Sequence, residues 1–334
     1  MVNHKYQPHY NSSMAEKNNL LLHLTPFYHP HLGGVEKHVQ KLVEAQVLQG
    51  DRVKIITQQY DLGLKSQEQH GGAEIYRLTV KTLEGSNRAQ ARNWGIHHAE
   101  HQLIAITDAG CVPQPSWLQN LVQKHQETQA PIVSGHFFGL PETPFEQAVV
   151  AYTLPPLSRV NRESFVPTAR SVLLTKQIWK KLGEFDEKLT SNEDYPFFYH
   201  AREQEIKIAF AENALVGWLP RKTWSEFARM IYGFARGDLE AGIVRPKVQL
   251  LFGRYLLGAT ALMGMFLLEV EAQRIAIIAA VWLAIYLGWA IWKNARYAPQ
   301  GWYWLPVMQL VADGCVMLGS VVGLWQTNNF QPKD

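Results

Sequence analysis

The sequence predicts an α/β fold, a mostly parallel sheet with helices on both faces, followed by transmembrane helices at the carboxyl end. Three observations predict it. Short apolar runs alternate with helix-period segments up to about residue 245. One run, Leu103, Ile104, Ala105 and Ile106, leads into Thr107-Asp108, and a carboxylate at the end of a buried strand faces a ligand in such sheets. Past Pro246 the composition turns apolar, with stretches long enough to cross a bilayer.

Taken in order, residues 19–26 (NLLLHLTP) read as a strand. Residues 33–50 read as a helix with Val35, Val39, Leu42, Val43 and Val47 on one face and Gly50 closing it. Residues 52–58 and 73–80 are further strands, and 87–101 is a helix leading to the strand at 103. Two prolines and a helix-like segment from near Trp117 follow. Residues 1–18 are polar and lack an apolar core, so they read as a disordered tail, not a signal peptide.

The chain has 334 residues and a formal net charge of +3, long enough for one large domain or two smaller ones and too balanced to point to nucleic acid. Its two cysteines, Cys111 and Cys315, lie far apart and suggest no disulfide framework.

Membrane crossing is expected at 275–292, at 304–325, which carries Asp313, and around 250–268, interrupted by Arg254. Tyr255, Trp289, Trp292, Trp302, Tyr303, Trp304 and Trp325 cluster at the edges, as in an interfacial aromatic belt. The loop with Glu269, Glu271 and Arg274 is less basic than the one with Lys293 and Arg296. The positive-inside rule therefore puts the second loop and the soluble part in the cytoplasm, and the carboxyl terminus outside. Asp313 is expected to face the bundle interior in a helix–helix contact. The segment from Trp224 to Arg254 has the composition of an interfacial amphipathic helix.

Local features carry bland readings beside the functional ones. Gly33-Gly34 suit a phosphate cradle or simply a tight turn. His97, His98 and His101 read as a solvated helix face, since no zinc spacing accompanies them. Ser191-Asn192-Glu193-Asp194 reads either as the N-terminal cap of the next helix or as a site carrying a general base.

Three segments carry a family resemblance. GSNRAQARNWGIHHAEHQLIAITDAGCVPQPSWL, from Gly85, resembles the stretch of family-2 glycosyltransferases in which an Ala-Arg-Asn helix precedes the strand with the DxD motif. FVPTARSVLLTKQIWKKLGEFDEKLTSNEDYPFFYHAREQEIKIAF resembles their acceptor and base region. WLPRKTWSEFARMIYGFARGDLEAG resembles the Trp-x-Pro-Arg and Tyr-x-x-Ala-Arg-Gly-Asp segment of membrane-attached members. The opening, about 19–80, instead resembles the start of family-4 glycosyltransferases, with their Gly-Gly-x-Glu loop. The resemblance therefore implies a GT-A-like nucleotide-binding domain over 19–245, with a family-4-like opening (19–80) and a family-2-like remainder (85–245). A membrane region over 246–326 with two to three transmembrane helices follows.

The resemblance implies an inverting, membrane-anchored transferase that moves a sugar from a nucleotide-sugar donor to a lipid-linked or polysaccharide acceptor, in cell-envelope or exopolysaccharide synthesis. It places a multi-pass protein in the plasma membrane with its catalytic domain cytoplasmic. Asp194, beside Glu193, is the implied base. Arg92, Asn93, Asp108, Gly110, Trp218 and Arg221 are the implied donor contacts. Asp108 holds Mg²⁺ or Mn²⁺ in a weak site, because Gly110 stands where the second carboxylate is usual and such ions accept few protein ligands. Cys111 reads as a buried thiol more readily than as a soft ligand. Arg236 and Asp238 either help close the site or pair with each other. The rival readings are a non-catalytic, nucleotide-sugar-binding or scaffolding relative, and a transport component built on Asp313.

Overall fold

The computed structural model describes residues 87–330 except 100, 109 and 190, and before them the backbone of four strands, 20–25, 52–57, 67–70 and 73–77. The side chains of 328–330 are outside this description. The expected tail at 1–18, the helix at 33–50 and Gly33-Gly34 lie outside the described residues.

The four early strands are β1 (Leu20–Thr25), β2 (Arg52–Thr57), β3 (Gln67–His70) and β4 (Ala73–Arg77). β1 pairs with β2 and β2 with β4 in parallel, and β3 folds back antiparallel on β4 in the order β1-β2-β4-β3. The short strand β3, with the sequence QEQH, has no apolar periodicity and was not legible in advance.

A five-stranded sheet follows, made of β5 (Leu103–Ile106), β6 (Cys111–Pro113), β7 (Ile132–Gly139), β8 (Val172–Thr175) and β9 (Ile208–Trp218), ordered β5-β8-β7-β9-β6. The fold is α/β as expected, but this sheet is mixed: only β7 and β9 pair in parallel. Alternate residues enter opposite cores, as the two-residue period of a strand dictates. Val172 and Leu174 pack with Ile132, Trp179, Phe185 and Phe198 on one face, whereas Leu173 packs with Val133, Val216 and Phe227 on the other.

The helices that cover these faces are α1 (Arg88–His98), α2 (Trp117–Thr128), α3 (Pro144–Thr153), α4 (Lys176–Lys181), α5 (Asp194–Glu203) and α6 (Trp224–Glu240). Thr143, Thr175 and Thr223 cap α3, α4 and α6, each accepting a backbone N–H three residues on. α6 turns Phe227, Met230, Ile231, Ala235 and Leu239 into the protein, so the amphipathic stripe expected at a lipid interface is spent inside the domain.

Three long apolar helices close the chain: α7 (Pro246–Leu267), α8 (Ala272–Asn294) and α9 (Leu305–Phe330). By length and composition each could cross a membrane. Asp313 of α9 joins all three. It accepts hydrogen bonds from Tyr255 Oη at 3.0 Å, from Gln309 Nε2 at 2.9 Å and from Tyr286 Oη, with Arg254 Nη2 at 3.3 Å. That is the helix–helix contact expected of it.

Candidate active site

The site is assembled around Arg92, in the second turn of α1. This helix begins with a reciprocal cap: Asn87 Oδ1 accepts from Gln90 N, and Gln90 Oε1 accepts from Asn87 N, both at 2.9 Å. Asn87 Nδ2 also donates to the carbonyls of Glu187 at 2.6 Å and Leu189 at 3.3 Å. The guanidinium of Arg92 is thereby aimed at two carboxylates. Nη2 lies 2.8 Å from Asp108 Oδ1, and Nη1 pairs with Glu193 Oε1. Burial works against the Arg92 charge, but Asp108, Glu193 and Asp194 outweigh it and hold its pKa above the usual arginine value.

Asp108 follows β5, and its carbonyl accepts from Cys111 N at 2.9 Å, closing a tight turn around Gly110. Open space surrounds the place where a Cβ on Gly110 would stand. The Gly110 carbonyl accepts from Leu219 N at 3.0 Å, which draws the end of β9 and the following Arg221 to the same turn. Trp218 is the last residue of β9, buried and paired in register with Cys111.

Because β5 and β8 are antiparallel, the end of one meets the start of the other. Thr107 Oγ1 donates to the carbonyl of Arg170 at 2.9 Å. The Arg170 guanidinium lies over the rings of Phe137, Trp218 and Phe234, at 5.3, 5.7 and 6.0 Å from their centroids. Arg221 is exposed, yet partial desolvation lowers its pKa, and the neighbouring cations Arg88 and Arg170 push the same way. Arg88, Arg170 and Asp108 thus all lie within electrostatic reach of Arg221. Sequence reasoning missed Arg170, which sits in the segment assigned to the acceptor region and carries no motif of its own.

The acidic pair comes from the loop before α5. Asn192 adopts φ 58°, a left-handed conformation that asparagine tolerates. Its Nδ2 donates to Asp238 Oδ1 at 2.7 Å, and Ser191 Oγ donates to the carbonyl of Gly233 at 2.9 Å. Glu193 stands at the cap position of α5 without capping it, since its side chain goes to Arg92. Asp194 Oδ2 accepts from Ala169 N at 2.8 Å. Neither carboxylate serves as a helix cap.

Asn93 is placed differently from Arg92. Its Nδ2 donates to the carbonyl of Phe185 at 2.8 Å and its Oδ1 accepts from Phe185 N at 3.0 Å, so both ends of the amide hold the loop after α4. Arg236 pairs with Glu240 at 3.0 Å, and Asp238 with Arg245, whose Nη2 donates to it at 2.8 Å. His97 meets Glu184 at 3.1 Å, and His98 stacks on Trp94 with ring centroids 3.9 Å apart.

Among the described residues no three His, Cys, Asp or Glu side chains converge as a metal-ligand set. Burial pushes the Cys111 thiol up to about 12, and the Asp108 carboxylate pushes the same way, so it is protonated at neutral pH. Asp108 has one oxygen on Arg92 and is 38% exposed. A lone, partly free carboxylate suits a Mg²⁺ or Mn²⁺ ion that arrives with phosphate oxygens and water, not one held by the protein alone.

Residues 65–163 match the family described as Glycosyl transferase family 2. The match covers less than half of the chain. It begins inside the segment read as a family-4-like opening, which has no support. The segments expected to carry the base and the Tyr-x-x-Ala-Arg-Gly-Asp sequence lie beyond its end. No curated protein matches the sequence. The fold is similar to that of the mannosyltransferase PcManGT from Pyrobaculum calidifontis, solved in complex with GDP-Man and Mn²⁺. The two share 13% identity over 93% of this chain and 88% of that one, at a TM-score of 0.54. Two fainter likenesses carry no further argument. One is to S. aureus TarS 1–349 (12% identity, 95% and 93% covered, TM-score 0.41). The other is to GalNAc-T7 with UDP, GalNAc and Mn²⁺ (12% identity, 67% and 48% covered, TM-score 0.42). The α/β fold is GT-A-like, and with the family-2 segment running through Arg92 and Asp108 it defines a glycosyltransferase.

Proposed function

We propose that the protein is an inverting, membrane-attached enzyme that moves a sugar from a nucleotide-sugar donor to a lipid-linked or polysaccharide acceptor. We place its work in cell-envelope or exopolysaccharide synthesis, with the catalytic domain on the cytoplasmic face of the plasma membrane. The observation that carries this reading is Arg92 bridging Asp108 and Glu193, which fixes the acidic pair beside the turn that holds Gly110.

Asp194 takes the proton from the acceptor hydroxyl as that oxygen bonds to the anomeric carbon from the face opposite the nucleotide. The bond to the diphosphate breaks, and the diphosphate leaves with the electron pair. Arg88, Arg170 and Arg221 supply positive charge where that charge develops, and arginine's fork of donors suits phosphate oxygens. Trp218 forms the floor beneath Arg170. Asp108 would hold Mg²⁺ or Mn²⁺, which when bound adds positive charge on the diphosphate. Glu193 fixes Arg92.

The test is turnover by detergent-solubilised protein with a panel of nucleotide sugars, Mg²⁺ or Mn²⁺ and membrane lipid extract, read as released nucleotide. Asp194→Asn is expected to keep donor binding and lose transfer by about 10²–10⁴-fold. Retention of both overturns the base assignment. Donor binding without turnover in the unaltered protein points instead to a nucleotide-sugar-binding relative.

A further inference from the structure

α9 is apolar and long enough to cross a bilayer, as α7 and α8 are. Its surroundings differ. α7 and α8 expose nearly all their side chains, whereas one edge of α9 is buried in the catalytic domain. Leu305, Met308 and Ala312 belong to the same core as Val133, Val216 and Phe227. Trp304, just before α9, meets Trp224 of α6 with ring centroids 5.8 Å apart. Farther along, Gly319 and Gly323 let the two backbones touch. A Cβ on Gly319 would stand 2.5 Å from the carbonyl oxygen of Tyr232, and one on Gly323 2.6 Å from that of Arg236. Thr327 Oγ1 donates to the carbonyl of Leu239 at 3.3 Å. α9 therefore runs beside α6, in the same direction, along nearly its whole length.

α6 does not belong in lipid. It carries Arg229, the Arg236–Glu240 pair and Asp238, which is buried against Arg245. Its residues Gly233 and Asp238 hold the loop that presents Glu193 and Asp194. Ionised side chains are costly in the hydrocarbon, and irregular backbone is tolerated there only when sheltered by protein or lining a water-filled cavity. A spanning α9 would carry α6 and the active-site loop into the bilayer with it.

The opposite edge of α9 bears exposed Val307, Leu310, Leu318, Val321, Leu324 and Trp325 on one helical stripe. That stripe continues at its start into exposed Trp302 and Tyr303, and Asp313 ties the helix to both α7 and α8. Apolar and aromatic side chains along one side, next to membrane helices, fit a lipid surface.

We propose that α9 does not cross the membrane. It lies along the bilayer surface on the side of the catalytic domain, with its outer stripe in the lipid interface, and only the α7–α8 hairpin spans. The carboxyl terminus is then on the same side as the catalytic domain, opposite to the orientation that loop charge predicts for three spans.

The experiment uses the full chain in sealed membrane vesicles, with Cys111→Ser and Cys315→Ala as background and single cysteines added. Lys188→Cys on the catalytic domain and Asp334→Cys are expected to react with an impermeant maleimide from one side, and Glu271→Cys from the other. Labelling of Asp334→Cys together with Glu271→Cys overturns the proposal. An epitope tag after Asp334 on the unsubstituted chain, digested by added protease, gives the same reading without the substitutions. Fluorophores on Leu310→Cys and Leu324→Cys, quenched by nitroxide lipids of known depth, are expected at similar shallow depths. A separation near 20 Å, the rise of 14 helical residues at about 1.5 Å each, or no quenching at either position, overturns it.

Discussion

Arg92 and Glu193, 101 residues apart, form an ion pair in which the side chains are only 13% and 2% exposed. Glu193 Oε2 is buried and has no hydrogen-bond partner among the described residues, so the carboxylate depends on Arg92. Removing one partner of such a pair strands the other charge. Arg92→Ala is expected to lower unfolding free energy by about 3–5 kcal/mol. Adding Glu193→Gln should recover part of that loss. Chemical denaturation of the solubilised protein measures both, and a loss under about 1 kcal/mol for Arg92→Ala would contradict the burial argument.

Arg170 is the site residue with no motif behind it. Its guanidinium is fixed over three rings and within electrostatic reach of Arg221, where a diphosphate needs counter-charge. A hydrogen bond to a charged group contributes about 1.5–3 kcal/mol. Arg170→Ala should therefore weaken binding of the released nucleoside diphosphate by about 10–100-fold. Calorimetry with and without a chelator checks it. Unchanged affinity in both conditions would remove Arg170 from the phosphate site.

His136 in β7 lies against Phe137 and Phe210, with ring centroids 6.1 and 6.2 Å away. Burial lowers its pKa below the ordinary 6.5, so the folded chain prefers the neutral ring. The unfolded chain takes up a proton first as pH falls. Stability from this residue is present above pH 6.5 and is lost as pH falls below that value. Melting temperatures should decline from pH 7 to pH 5, and His136→Phe should flatten the decline. An identical slope in the two proteins would show that His136 does not set it.

The sequence was most legible where periodicity and length speak together. The strand at 103, the helix with Arg92 and the three apolar helices fell within a few residues of their expected ends. Strand direction was not legible, since β8 runs against both neighbours and nothing in a short apolar run encodes its partner. Residue type alone did not reveal that the Asn93 amide is engaged by the Phe185 backbone, a partner 92 residues away. Arg170 was missed because its surroundings, the rings of Phe137, Trp218 and Phe234, come from three separate stretches of chain.

The fastenings of α1 have a consequence for the newborn chain. Asn87, Asn93 and Lys176 bind α1 to the segment from 176 to 189 at its start, middle and end, and β5 finds its partner strand only at 172–175. A ribosome adding about 5–20 residues per second needs roughly 5–20 s to travel from Arg92 to Glu193. Throughout that interval α1 exists without its anchors, with Ala89 and Ile96 uncovered. The α7–α8 hairpin, proposed above to span the membrane, is translated only afterwards. Capture by the insertion machinery therefore comes late, when most of the catalytic domain has already left the ribosome, and a chaperone that shields α1 in the meantime would act before any lipid contact is made.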